Sequence, residues 1–167
     1  MNIGVVYVLQ DEYRNALEYY SRADSVIQLH NIDGLKYYIT LNIGDVYNRL
    51  NISDSAFTFF NKSLELARKL DDGDLIGTSM TGLGHSYLKL GSYQQSLINY
   101  QTGIGLLKAA NDDEILCEAA LGIANLYEHL NNYDSAGYYA TMSLAIAKQD
   151  GFLSKELEAA EFLTEHY

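Results

Sequence analysis

The chain has 167 residues, 48% of them hydrophobic, and carries 22 acidic against 11 basic side chains, a net charge of −11 with a pI near 4.6. Such an acidic balance argues against binding to nucleic acid or to anionic membrane surfaces, both of which need basic patches. It leaves basic peptides or basic protein surfaces as partners, and solubility as its other use.

In chain order, apolar residues recurring at helical spacing predict helices over 1–10, 14–30, 34–50, 54–70, 74–90, 94–110, 114–130, 134–149 and 154–167, with no strand signal, linker or low-complexity segment. Ile43, Val46, Tyr47 and Leu50 form one stripe, and Phe57, Phe60, Leu64 and Ala67 another. Helix ends are marked by Asp11, Asn51, Gly91 and Asn131 and, in alternation with these, by Asn31, Asp71, Asn111 and Gly151. Gly, Asn and Asp visit the left-handed backbone region most readily and favour the residue after a helix. Ser92 with Gln95 fits a capping box, and Asp33, Asp72 and Asp113 are candidate N-caps. No apolar run reaches the roughly 18 residues of a membrane span, and no basic segment followed by an apolar core opens the chain. The single cysteine, Cys117, excludes an internal disulfide framework and reads as a packed small hydrophobe.

The elements repeat. With Met1, Leu41, Thr81 and Leu121 in register, the openings read MNIGVVYVL, LNIGDVYNRL, TGLGHSYLKL and LGIANLYEHL, a period of 40 residues. A large apolar residue stands at Ile3, Ile43, Leu83 and Ile123, a small one at Gly4, Gly44, Gly84 and Ala124, and a tyrosine at Tyr7, Tyr47, Tyr87 and Tyr127. The second helix of each copy adds Ala16, Tyr20 and Ala23; Ala56, Phe60 and Ser63; Ser96, Tyr100 and Gly103; and Ala136, Ala140 and Ser143. Small residues at Gly44, Gly84, Ala56 and Ser96 allow close helix approach, with the tyrosine of the first helix expected to fill the gap beside them. On that expectation Tyr87→Ala costs about 3–5 kcal/mol. Gly82-Leu83-Gly84 and Gly103-Ile104-Gly105 fall inside helices, so they read as helix contacts and not as phosphate loops. A two-helix unit cannot bury such a stripe alone, and stacked neighbours can.

This pattern of large apolar, small, aromatic, Ala, aromatic, Ala resembles the tetratricopeptide repeat (TPR) family over the whole chain. The resemblance implies an all-α, right-handed superhelical α-solenoid of antiparallel helix pairs in a single domain, with copies at 1–40, 41–80, 81–120 and 121–160 and part of a fifth at 161–167. The period exceeds the usual 34 residues. The family's proline falls at Gln28, Arg68, Lys108 and Lys148, so nothing stops the second helix there, and longer helices are expected. Met1 lies at a phase where other copies are mid-helix, and Leu163 and Tyr167 begin a fifth copy. The chain is therefore expected to be a piece of a longer protein, a short protein with frayed ends being the alternative.

In such arrays the first helix of each copy lines the concave face. The resemblance places there Tyr38, Leu41, Asp45, Asn48 and Arg49; Thr78, Thr81, His85, Leu88 and Lys89; and Glu118, Leu121, Asn125, Glu128 and His129. These positions differ between copies while packing positions do not, as expected of a binding surface; a merely solvated face is the alternative. The clamp by which some family members grip acidic chaperone tails would need Lys at the phase of Met1, Leu41, Thr81 and Leu121, and Asn at that of Val5, Asp45, His85 and Asn125. Only Asn125 conforms, so the clamp is absent and that function is not expected. The mixed charges of Asp45, Arg49, His85, Lys89, Glu128 and His129 suggest a polar ligand or a peptide of mixed charge. His85 and His129 sit at different phases and do not form a metal pair, and His30 and His166 read as exposed. No Ser, Cys or Lys sits beside a histidine in an arrangement that would activate it as a nucleophile.

The expected function is a non-catalytic protein- or peptide-binding scaffold without metal or cofactor. The alternatives are a sensory input domain of a bacterial signalling protein, whose Pro-free, Tyr- and Asn-rich arrays this chain is similar to, or a structural spacer that self-associates through open repeat ends. Compartment is left open between cytoplasm and, for a parent with a signal peptide, periplasm.

Overall fold

The computed structural model describes residues 3–30 and 32–166, with Gln28, Leu29 and His166 as backbone only. The expectations placed on Met1, Asn31 and Tyr167, and on the side chains of Gln28 and His166, lie outside the described residues. Among the described residues there are nine helices and no strand: α1 (Ile3–Leu9), α2 (Tyr13–His30), α3 (Asp33–Arg49), α4 (Ser53–Leu70), α5 (Gly73–Lys89), α6 (Tyr93–Ala110), α7 (Asp113–His129), α8 (Tyr133–Asp150) and α9 (Leu153–His166). From α2 onward each begins one residue earlier than the apolar spacing predicts.

The helices form two compact units, Met1–Asp72 with α1–α4 and Gly73–Tyr167 with α5–α9. In the first, consecutive helices pack on one another. In the second they do so as well, and the first-type helices α5, α7 and α9 also lie side by side. α2, α6 and α8 each pack between the first helix of their own copy and that of the next. This sharing of faces between copies is the all-α solenoid arrangement.

The turn chemistry acts as the sequence implies. Asp11, Asn51, Asp71, Asn111 and Asn131 all have φ between 54° and 61°, and Gly91 and Gly151 have φ of 70° and 76°. Some caps differ from expectation, while Asp72 immediately precedes α5 as expected. Asp112, not Asp113, caps α7, its side chain accepting from the Ile115 N–H at 3.1 Å. Asn132 does the same for α8 through Ser135 at 3.2 Å. Ser92 precedes α6 without a side-chain cap bond. Its neighbour Ser96 instead donates to the Gly84 carbonyl at 2.8 Å, tying α6 to α5. Asp33 is the first residue of α3, whose cap position is held by Ile32.

The gap beside the small residue is filled from the second helix, not by the tyrosine of the first. A Cβ built on Gly4 would lie 2.3 Å from the Tyr20 ring, one on Gly44 2.9 Å from Phe60, and one on Gly84 2.6 Å from Tyr100. Tyr20, Phe60 and Tyr100 are 1%, 3% and 0% exposed, whereas Tyr47, Tyr87 and Tyr127 are half-buried. Burial raises the pKa of Tyr100 well above its ordinary value, with Glu118 adding to the effect. The fourth copy exchanges both members of the pair at once: Ala124 replaces the glycine and Ala140 the aromatic. The volume lost at Ala140 is restored by Phe162 of α9, which clusters with Ala124, Ala136 and Ala140. Phe162 stands 40 residues after Gly122, and Gly122 presses on Tyr100, its Cβ position 2.5 Å from the ring. Copy three thus sends an aromatic outward over a glycine, and copy four receives one from its neighbour.

A second close contact joins the helices of a pair. Gly77 and Gly103 face each other so closely that a Cβ on either would come within 3.0–3.2 Å of the other's carbonyl oxygen. The corresponding pair in copy four is Cys117 and Ser143. There the Ser143 hydroxyl donates to the Cys117 carbonyl at 2.9 Å and the Cys117 thiol to the Ser143 carbonyl at 3.6 Å. Gly105 is exposed and meets nothing within 4 Å, so it is no helix contact.

Candidate functional site

The half-exposed polar residues of the second unit gather on its first helices. His85 of α5 stands between two partners: Nδ1 lies 2.7 Å from the Tyr100 hydroxyl and Nε2 3.1 Å from Glu118 Oε1 on α7. The other Glu118 oxygen accepts from Lys155 Nζ of α9 at 3.1 Å, and Glu158 lies 3.9 Å from the same ammonium. A polar chain thus runs Tyr100–His85–Glu118–Lys155, from α6 across the first helices α5, α7 and α9. The side chains of His85, Glu118 and Lys155 remain 22%, 35% and 18% exposed, so the chain is open to solvent along one side. Burial disfavours the charge on Glu118, but the hydrogen bonds and charges of His85 and Lys155 outweigh it and hold the carboxyl well below its ordinary range. Lys155 is also held more firmly protonated: burial opposes its charge, and Glu118, Glu158 and Glu114 more than offset that.

Around this chain stand the other expected residues of the second unit. Asn125 is half-buried, its amide donating to the Leu121 carbonyl at 2.8 Å, which leaves the amide oxygen to other partners. Thr78 donates to the Asp74 carbonyl at 3.0 Å. Leu88, Leu121 and Glu128 are half-buried and Lys89 is exposed. His129 is exposed at the end of α7 and stacks on Tyr93 of α6, ring centres 6.1 Å apart. In the first unit, Asp45 and Arg49 form an i, i+4 ion pair at 2.8 Å. Burial opposes the Arg49 charge, while Asp45 and the Tyr13 hydroxyl of α2 favour it. Tyr38 is 52% exposed and meets Tyr37 edge-on at 5.1 Å. Leu41 and Asn48 are half-buried.

Thr81 does not belong to this set. It is 1% exposed, its hydroxyl donates to the Gly77 carbonyl at 3.1 Å, and it packs against Gly103, whose Cβ position lies 3.1 Å from that hydroxyl. The helices approach so closely at Gly77 and Gly103 that the position is sealed. Conversely, sequence reasoning passed over Lys155 and the Tyr100 hydroxyl. The signal for Lys155 is a cation at a phase where other copies hold Leu35, Leu75 and Ile115. Such a break in an apolar column marks a local partner, here Glu118. Cys117 is fully buried, and burial, with Asp113 adding, pushes its thiol up to about 11. Among the described residues no three His, Cys, Asp or Glu side chains are grouped to hold a metal ion, and no helix is long and apolar enough to cross a membrane.

Residues 35–109 match the family model described as tetratricopeptide repeat. Tetratricopeptide repeat protein 29 of Trypanosoma brucei brucei (strain 927/4 GUTat10.1) is 27% identical over 137 residues, 81% of this chain and 28% of that protein. The chloroplastic protein FLUORESCENT IN BLUE LIGHT of Arabidopsis thaliana is 27% identical over 110 residues, 66% of this chain and 35% of that protein. The chain thus spans about a third or less of the length of these relatives. Among solved structures, a Rap protein complexed with Competence and Sporulation Factor matches 93% of this chain and 44% of its own, with a TM-score of 0.85 at 12% identity. At that identity the likeness is one of fold.

Proposed function

We propose that the chain is a tetratricopeptide repeat protein and serves as a protein- or peptide-binding scaffold whose contact surface is the face of its first helices. The observation that carries this reading is the division of labour between positions. The positions of the repeat signature, such as Ile43, Leu83 and Ile123 or Ala56, Ser96 and Ala136, keep their size class, or change in compensating pairs, Gly84 with Tyr100 against Ala124 with Ala140. The half-exposed positions of α3, α5 and α7 change freely from copy to copy. Packing constrains the first set; a ligand is the natural constraint on the second.

The ligand is read as a peptide of mixed charge. Glu118 is already satisfied by His85 and Lys155, so a purely basic ligand would have to compete for it. Lys89 and His129, at the ends of α5 and α7, suit acidic side chains, and the dipoles of those helix ends favour cations there. Asn125 offers an amide oxygen to a backbone N–H. Proteins of this family are in general non-catalytic scaffolds, and we read this chain likewise as non-catalytic and free of cofactors.

The test is a peptide selected on the full chain from a displayed library and titrated calorimetrically. Lys89→Ala and Asn125→Ala, both in the second unit, should each weaken it by about tenfold or more if the residue makes a central contact. Ile98→Ala, on the exposed side of α6, should leave it unchanged. Circular dichroism verifies that all variants stay helical. Equal affinity for Lys89→Ala, Asn125→Ala and the parent contradicts the reading and favours a spacer.

A further inference from the structure

The repeat frame also allows junctions to be compared position by position. Where α6, α7 and α8 meet, Ile104, Leu116, Ile123, Tyr139, Met142 and Ile146 belong to one apolar cluster. The residues 80 positions earlier, where α2, α3 and α4 meet, are Asp24, Lys36, Ile43, Phe59, Lys62 and Leu66. Three apolar residues are thus replaced by charged ones: Ile104 corresponds to Asp24, Leu116 to Lys36 and Met142 to Lys62. At the rim, Ala145 corresponds to Glu65. Beside the apolar cluster that Ile43 and Phe59 share with Tyr20, Ile39 and Val46, this junction holds a cleft of about 310 Å³ lined by these side chains. Its floor is apolar. Ile43 is 9% exposed, and Phe59 stacks on Tyr47 with ring centres 5.5 Å apart. Lys62 Nζ lies 4.9 Å from the centre of the Phe59 ring.

A junction that needed only to hold helices together would keep the apolar set, since charged side chains there forfeit burial. The cleft falls at the small end of the range for ligand pockets, about 300–1,000 Å³, and has their composition: an apolar floor with a few polar groups around it. The charges restrict the occupant. An anion without a cationic group would meet Asp24 and Glu65. A purely apolar ligand would take Lys36 and Lys62 out of water without recompense. A molecule bearing one charge of each sign and an apolar body satisfies both pairs and covers Phe59.

We propose that this cleft is a second binding site, separate from the first-helix face, for a small zwitterion with an apolar side chain, of the α-amino acid class. The carboxylate meets Lys36 and Lys62, the ammonium meets Asp24 and Glu65, and the side chain lies on Phe59, Ile43 and Leu66.

The experiment titrates the full chain with L-phenylalanine, L-tyrosine and L-leucine, read by calorimetry and by amide chemical shifts. N-acetyl-L-phenylalanine, which lacks the ammonium, and L-phenylalaninamide, which lacks the carboxylate, serve as probes of the two charges. Saturable binding of at least one amino acid is expected. It should weaken by roughly tenfold or more with either capped probe, as loss of a charge-assisted hydrogen bond implies. Asp24→Ile/Lys36→Leu/Lys62→Met, which installs the residues of the α6–α8 junction, should remain helical, melt no lower than the parent and lose binding. Lys62→Met alone gives the same reading with a smaller perturbation. Absence of saturable binding by all three amino acids, equal binding of the capped probes, or undiminished binding by both variants overturns the proposal.

Discussion

Gly84 and Tyr100 form the contact on which the third copy turns, and a double-mutant cycle tests it. A Cβ added at Gly84 would lie 2.6 to 2.9 Å from three Tyr100 ring atoms. The ring has little room to retreat, because Gly122 also lies against it: a Cβ added there would be 2.5 Å from the ring. Overpacking of this kind costs about 1–3 kcal/mol. Alanine in a helix interior returns about 1 kcal/mol relative to glycine. Gly84→Ala alone should therefore be neutral to destabilising, by about 0–2 kcal/mol. Tyr100→Ala removes a fully buried aromatic and should cost about 3–5 kcal/mol. In that background the clash is absent, and Gly84→Ala should stabilise by up to about 1 kcal/mol. The coupling is then about 1–3 kcal/mol in favour of the double variant, which reproduces the Ala124 and Ala140 pair of copy four. Urea unfolding followed by circular dichroism, with the slopes compared to exclude a change of mechanism, gives all four corners. If Gly84→Ala has the same effect in both backgrounds, the two residues are not in the contact described here.

Three further outcomes follow from the packing. Tyr87 is half-buried, so Tyr87→Ala should cost clearly less than Tyr100→Ala in the same urea experiment, and an equal cost would contradict the assignment of Tyr100 as the gap filler. Glu118 has a folded pKa below its ordinary 4.5, so the unfolded chain binds its proton first. The stabilisation is complete above pH 4.5 and declines as pH falls below it; Glu118→Gln should flatten that acid limb of the urea midpoint profile, and an unchanged profile would remove the carboxylate from the account. Cys117, buried and raised to about 11, should resist a thiol reagent at neutral pH until the chain is unfolded, so rapid labelling under native conditions would show that α7 and α8 part there.

The helices and their ends were legible because their causes are local. Asn51, Asp71 and Asn111 terminate helices through the left-handed conformation they themselves adopt. The apolar stripes need only the 3.6-residue turn. Relations between helices were harder to read. The sequence shows aromatics at both Tyr87 and Tyr100, but which one enters the gap depends on how far α6 is set along α5. Thr81 has the phase of a surface residue, and its burial follows from the approach of Gly103 in α6. The chain His85–Glu118–Lys155 joins residues 33 and 37 positions apart, short of one full period, so aligning copies in register separates them. It is the stagger between neighbouring first helices that brings them together. Cap positions slipped by one residue, from Asp113 to Asp112, because two acids in succession offer the same chemistry.

The claim that the first helices form the ligand face is tested most directly by a footprint. A peptide selected on the full chain is bound to saturation, and amide hydrogen exchange is compared with that of the free protein. Protection of α5 and α7 around His85, Lys89, Asn125 and His129, with α6 and α8 unchanged, is the predicted result. Protection confined to α6 and α8, with the first helices exchanging as in the free chain, would contradict it.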